Sequence, residues 1–178
     1  VSSILSFLTK SKNPEDLLKW MNKNLTYEGA HKGYLRSPEQ VVKDKVGHCW
    51  ETTELANLEL TKLGYICQTL YMTNNNLYNS ETVTHSTLIY KDKKNNYYWF
   101  EWAWYKYTGI HGPYFSIEEL IKLITTNFIK THKNIAIVKL SDAGLHNFTN
   151  EVNYINSTDS WKNVLRKKLS DNIIFKWE

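Results

Sequence analysis

The 178 residues suffice for one domain with its own core, and 42% hydrophobic against 22% charged residues is the balance of an ordinary globular chain. A net charge of +4 on scattered basic residues, with no recognition module and no apolar run near the roughly 20 residues of a membrane span, argues against nucleic-acid and membrane partners. Two cysteines are too few for a disulfide-stapled scaffold, so two free thiols are expected.

The opening "VSSILSFLTK" is too polar and too short for a signal peptide, which points to the cytoplasm; lacking an initiator Met, the chain leaves a trimmed leader open. "KNPEDLLKWMNKN" (12–24) predicts a short helix with Asn13 as N-cap, Pro14 in first position, and Leu17, Leu18 and Met21 as its apolar residues. "LTYEGAHKGYLRS" (25–37) is irregular. In "RSPEQVVKDKVG" (36–47) Ser37 caps, Pro38 starts and Gln40 completes a capping box, giving a second short helix that ends near Gly47.

"VGHCWETTELANLELTKLGY" (46–65) then opens a helix on a cysteine. Cys49, Thr53, Ala56, Leu60 and Leu63 form one stripe, and Gly64 stops it. Glu51, Glu54, Asn57, Glu59 and Lys62 are expected to give this helix a wet side. A structural cysteine could sit anywhere along the stripe. A reactive one gains from this end, where unpaired amides and the helix dipole stabilise a thiolate.

"YICQTLYM" (65–72) predicts a strand, followed by a polar loop. "THSTLIYKDKKNNYYWFEWAWYKY" (84–107) predicts a hairpin about the polar "KDKKNN". "FSIEELIKLITTNFI" (115–129) reads as a helix with Ser116 as cap and Glu119 three residues on. "NIAIVKL" (134–140) reads as a strand, "NSTDSWKNVLRKKLS" (156–170) as a helix whose basic residues are its wet face, and "NIIFKWE" (172–178) as a last strand. With no repeat and no linker, a helical front followed by strands with helices between them predicts a single α+β domain over residues 1–178.

A thiol nucleophile needs a base within hydrogen-bond reach, and the base needs an orienter. His85 shares a strand side with Thr87 and Ile89; on the returning strand Tyr97, Trp99, Glu101 and Ala103 share a face. A turn with an odd number of residues puts His85 and Glu101 on the same face, close enough for an imidazole–carboxylate bond, while an even number separates them. "KDKKNN" permits either. His48, His85, His111, His132 and His146 show no metal-ligand spacing, and no Gly-rich phosphate loop is visible, so neither a metal nor a cofactor is expected.

The run "SPEQVVKDKVGHCWETTELANLELTKLGYICQTLYM", with "HSTLIY" and "YYWFEWAW" after it, resembles the transglutaminase-like superfamily of papain-like thiol enzymes. Gly47, His48 and Cys49, then Leu63, Gly64 and Tyr65, then His85 and Glu101 carry the match. Two departures stand out: the family acid is usually Asp in a "DPT"-like context, and the aromatic of "HAW" is replaced by Ser86 and Thr87. The resemblance implies a papain-like fold, with the Cys helix packed on an antiparallel sheet in a core of about residues 15–107 and an α/β extension over about 108–178. It implies thiol acyl transfer on the amide bonds of a peptide or protein substrate. Cys49 attacks, His85 moves the proton, Glu101 holds the ring, and the Cys49 amide serves the oxyanion. Gln40 and Trp20 are candidates for a second oxyanion donor and Trp50, with Trp99, Trp102 and Trp104, for a cleft wall. Water as acceptor makes a peptidase or amidase; an amine makes a transglutaminase. Two other readings stand beside it: a catalytically silent binding module on the same fold, and an arylamine acetyltransferase-like enzyme, whose expected "RGG" before the cysteine is missing.

Overall fold

Cap residues and prolines start the first two helices of the computed structural model, which describes residues 8–29, 35–74, 83–132, 136–140 and 173–176. Helix α1 (Pro14–Asn24) begins where Asn13 Oδ1 accepts the Asp16 amide at 2.7 Å, and it buries Leu17 and Met21. Helix α2 (Pro38–Asp44) begins where Ser37 Oγ accepts the Gln40 amide at 3.3 Å. The expected capping box is only half made: the Gln40 side chain turns away and donates to Asp44 Oδ1, one helical turn on, at 2.7 Å. Strands β1 (Thr26–Tyr27) and β2 (Val46–Gly47) form a short parallel pair beside these helices, with Tyr27 opposite Gly47.

Helix α3 (Cys49–Lys62) runs from the cysteine to the glycine, as its stripe predicts. Gly64, at φ 90°, ends it in a Schellman turn: the Gly64 amide reaches the Thr61 carbonyl at 3.0 Å and the Tyr65 amide the Leu60 carbonyl at 3.1 Å. The expected wet side does not exist. Glu51, Glu54, Asn57 and Glu59 are all buried, and Glu51, Asn57 and Glu59 bond to residues on other segments of the chain. Glu59 Oε2 accepts the Thr9 amide at 3.0 Å and its hydroxyl at 2.7 Å, while Oε1 accepts the Leu8 amide at 3.1 Å. Asn57 lies between Thr61 and Thr69.

The sheet comprises β3 (Ile66–Asn74), β4 (Thr84–Lys91), β5 (Tyr97–Glu101), β6 (Gly109–Tyr114), β7 (Ala136–Leu140) and β8 (Ile173–Lys176). Among the described residues it is antiparallel throughout, in the order β6-β5-β4-β3-β7-β8. The returning strand of the hairpin is shorter than expected. It stops at Glu101, the chain bends over 102–104 and makes a 3-10 turn at Tyr105–Tyr107. Strand β6 follows, in a "GIHGPY" stretch whose glycines and proline read as breakers; at the sheet edge a missing ladder donor is tolerated. The expected helix over 156–170 lies outside the described residues.

Helix α4 (Ile117–His132) begins where Ser116 Oγ accepts the Glu119 amide at 3.3 Å. The two sheet faces carry separate cores. Leu88 and Phe100 pack with Leu17, Met21, Leu55 and Leu60 on the α1–α3 face. Leu70, Ile89 and Trp99 pack with Leu120, Ile124 and Phe128 on the α4 face. The molecule is therefore the mixed helix-and-sheet structure that the sequence predicts. Among the described residues no helix is long and apolar enough to cross a membrane.

Candidate active site

Gly47 has no room for a side chain: a Cβ would lie 2.9 Å from Thr52 Cγ2 and 3.4 Å from Val41 Cγ1. That close approach lets the chain enter α3 directly from β2. His48 is the N-cap, its Nδ1 accepting the Trp50 amide at 3.2 Å, and Glu51 closes a capping box by accepting the His48 amide at 3.1 Å. Cys49 is thus the first helical residue, its thiol at the positive end of the helix dipole.

Helix α3 lies along β4, with Thr53 Oγ1 donating to the Ser86 carbonyl at 3.1 Å. Cys49, one turn earlier, reaches past the start of β4, where His85 is the second residue. The β4–β5 connection has five residues, 92–96, an odd number. Asp92 sets that length by accepting the Lys94 amide at 2.8 Å and the Asn96 amide at 2.9 Å. Leu88 then opposes Phe100 and Ile89 opposes Trp99, so His85, Thr87, Trp99 and Glu101 share one face.

His85 Nε2 lies 2.8 Å from Glu101 Oε2, and the second carboxylate oxygen accepts the Trp104 amide at 2.8 Å. A hydrogen bond with the Cys49 thiol couples the ring to the tip of α3. The shared face is the one α4 covers, not the one α3 lies on: Trp99 Nε1 donates to Thr87 Oγ1 at 2.7 Å, and Trp104 packs edge-on against His85 with ring centroids 5.2 Å apart. Thiol and imidazole therefore meet at the end of the sheet, with the helix tip supplying one and the far face the other.

Burial by itself would push the Cys49 thiol up; hydrogen bonds to His48 and His85 and the charges of both rings outweigh it, and hold the thiol at about 6. Burial by itself would lower His85, but the Glu101 charge, the thiol and the carboxylate hydrogen bond raise it to about 10. Glu101 is buried, which favours its neutral form. The His85 charge and hydrogen bond and the Trp104 amide prevail, so its carboxyl stays below the ordinary range. Thiolate, imidazolium and carboxylate thus form a mutually stabilised chain. Cys67 is the contrast: free and fully buried, its thiol is pushed up to about 12 by burial.

The cleft candidates are engaged elsewhere. Trp20 packs against the α1–α3 core, Gln40 gives its amide to Asp44, and Trp50 is buried edge-on against Tyr71. Trp104, one of the wall candidates, does belong to the site, as do His48 of the matched motif and Tyr27, which nothing in the sequence singles out. Tyr27, half exposed on β1 opposite Gly47, has its hydroxyl raised by burial and then by the charges of Cys49 and Glu101. Trp104 covers His85 and holds Glu101 through its amide. His48, beside Cys49 at the helix tip, helps to hold the thiol low. Among the described residues no group of three or more His, Cys, Asp and Glu side chains is arranged to hold a metal ion.

No protein-family model matches the chain, and no curated protein matches it.

Proposed function

We propose that the protein is a cysteine-dependent acyl-transfer enzyme of transglutaminase-like, papain-like type that acts on amide bonds of a peptide or protein. The observation that carries this reading is a helix-tip thiol coupled to a histidine whose Nε2 lies 2.8 Å from a buried carboxylate. That arrangement makes a nucleophile, a proton carrier and an orienter of three side chains.

In this mechanism the Cys49 thiolate attacks the amide carbonyl carbon. The oxyanion that forms accepts from the Cys49 amide, one of the first helical N–H groups, which have no partner within the helix. His85, protonated and held by Glu101, gives its proton to the leaving amine as the C–N bond breaks, leaving a thioester on Cys49. Water or an amine then attacks the thioester while His85 takes up its proton. The thiolate leaves, and the product is a carboxylic acid or a new amide.

The test is labelling with a thiol-directed acyl probe. The unaltered protein and Cys67→Ala should take the label, and Cys49→Ala should not while keeping its circular-dichroism spectrum. Label on Cys67 rather than Cys49, or a Cys49 that alkylates with an ordinary thiol's pH profile, would make the protein a binding module instead.

A further inference from the structure

Helix α3 carries its cysteine on an apolar stripe, and the packing along that stripe leaves a gap below the thiol. Thr53 and Ala56 follow Cys49 at helical spacing, so both lie under it on the side of the helix that faces the sheet, the first about one turn down. Between this stripe and the end of β5 lies a cavity of about 180 Å³, lined from the helix by Thr52, Thr53 and Ala56 and from the sheet by Leu88 and Phe100. Trp102 and Ala103 form its rim. Both are partly buried and belong to the bend that follows Glu101, which the Thr108 hydroxyl holds by donating to the Trp102 carbonyl at 3.2 Å.

The walls present chiefly carbon. Thr52 gives its hydroxyl proton to the His48 carbonyl at 2.9 Å and Thr53 to the Ser86 carbonyl at 3.1 Å, so both donors are committed to the backbone. The space is also small: its 180 Å³ runs out to the open mouth, and the enclosed part has room for about one water-sized or methyl-sized group. Its place in the fold says which half of a substrate it meets. The leaving amine must lie by His85, which protonates it, and His85 belongs to the face that α4 covers. Leu88, Phe100 and Ala56 belong to the opposite, α3 face, so the cavity falls on the acyl side of the scissile bond. We propose that this cavity is the subsite for the side chain of the residue whose carbonyl Cys49 attacks, and that it selects a methyl, so that the protein acts on bonds following alanine. This rests on the reading of Cys49 as the nucleophile. Glycine leaves the cavity unfilled, and a branched or aromatic side chain runs into Trp102.

The test is acylation of Cys49 in the full-length protein by the p-nitrophenyl esters of N-acetylglycine, N-acetylalanine, N-acetylvaline and N-acetylphenylalanine. In each reaction the thiolate bonds to the carbonyl carbon and p-nitrophenolate leaves, which absorbance follows. Every rate is divided by that of the same ester with glutathione, to remove differences in intrinsic reactivity. We expect the alanyl ester to lead the series, ahead of the glycyl and phenylalanyl esters by about 10-fold. Two variants should then move the preference in opposite directions. Ala103→Leu fills the cavity from its rim and should bring the alanyl-to-glycyl ratio down to about one. Trp102→Ala opens it and should put the phenylalanyl ester ahead. A fold merely weakened by either change slows all the esters alike, so the ratios report the cavity itself. A series not led by the alanyl ester, or ratios that neither variant moves, overturns the proposal and leaves Cys49 as nucleophile standing. Esters that all leave Cys49 unacylated overturn both.

Discussion

Glu101 stands where the resemblance expects an aspartate, and the backbone here uses its extra length. One carboxylate oxygen reaches His85 at 2.8 Å while the other accepts the Trp104 amide at 2.8 Å, so the side chain spans two fixed points. An aspartate at the end of β5 would fall one methylene short of the imidazole. Glu101→Asp should therefore raise the alkylation midpoint of Cys49 by about one unit and slow acyl transfer on the order of 100-fold. A variant that behaves like the unaltered protein would show that the carboxylate is not held where it is needed. The sign of the pH dependence follows from the same groups. With the thiol held at about 6 and the imidazole raised to about 10, thiolate and imidazolium coexist between those values. Alkylation should rise through about pH 6, and His85→Ala should move that midpoint up toward the ordinary 9.0.

Helix α3 owes its position to polar contacts as much as to its apolar stripe. Glu59 is fully buried and is the common acceptor for the Leu8 amide, the Thr9 amide and the Thr9 hydroxyl, with Lys62 Nζ 3.6 Å away. Removing it leaves those donors and one ammonium without their acceptor in a space closed to water. Glu59→Ala should cost about 3–5 kcal/mol, the range for a buried ion pair broken on one side. Denaturant unfolding followed by circular dichroism measures it, and a loss below about 1 kcal/mol would mean that water replaces the carboxylate there. The N-terminal segment is thus a strap that ties the far end of the thiol-bearing helix, ten residues from Cys49.

One sheet separates two cores, and the site draws on both. Cys49 arrives with α3 on one face, while His85 and Glu101 belong to the face covered by α4. Trp104 connects that second core to the imidazole, packing on His85 at 5.2 Å and on Phe128 at 6.4 Å between ring centroids. Phe128 is fully buried, so Phe128→Ala should cost about 3–5 kcal/mol through lost burial and the cavity left behind. Because Trp104 then loses its backing, the same variant should also raise the Cys49 alkylation midpoint at a temperature where it is still folded. An unchanged midpoint in the folded variant would mean that the α4 core supports the fold without steering the site.

Local chemistry determined the element ends: Asn13 and Pro14 start α1, Ser37 starts α2, Gly64 stops α3 and Ser116 starts α4, each through contacts within five residues along the chain. The candidate triad was legible as residue types in order, but its assembly depended on the parity of one turn, which Asp92 decides through bonds to Lys94 and Asn96. Tertiary structure alone decided the rest. Glu51, Asn57 and Glu59 read as a wet face because charge and amide groups ordinarily seek water. They are buried because partners up to about fifty residues away along the chain replace that water, and nothing local encodes such partners. Strand β6 was hidden by Gly109, Gly112 and Pro113, which a strand tolerates only at an edge, and being an edge is a property of the sheet. Trp104 reads in the sequence as one of several candidate wall residues; that it covers His85 and holds Glu101 comes from what folding brings against it.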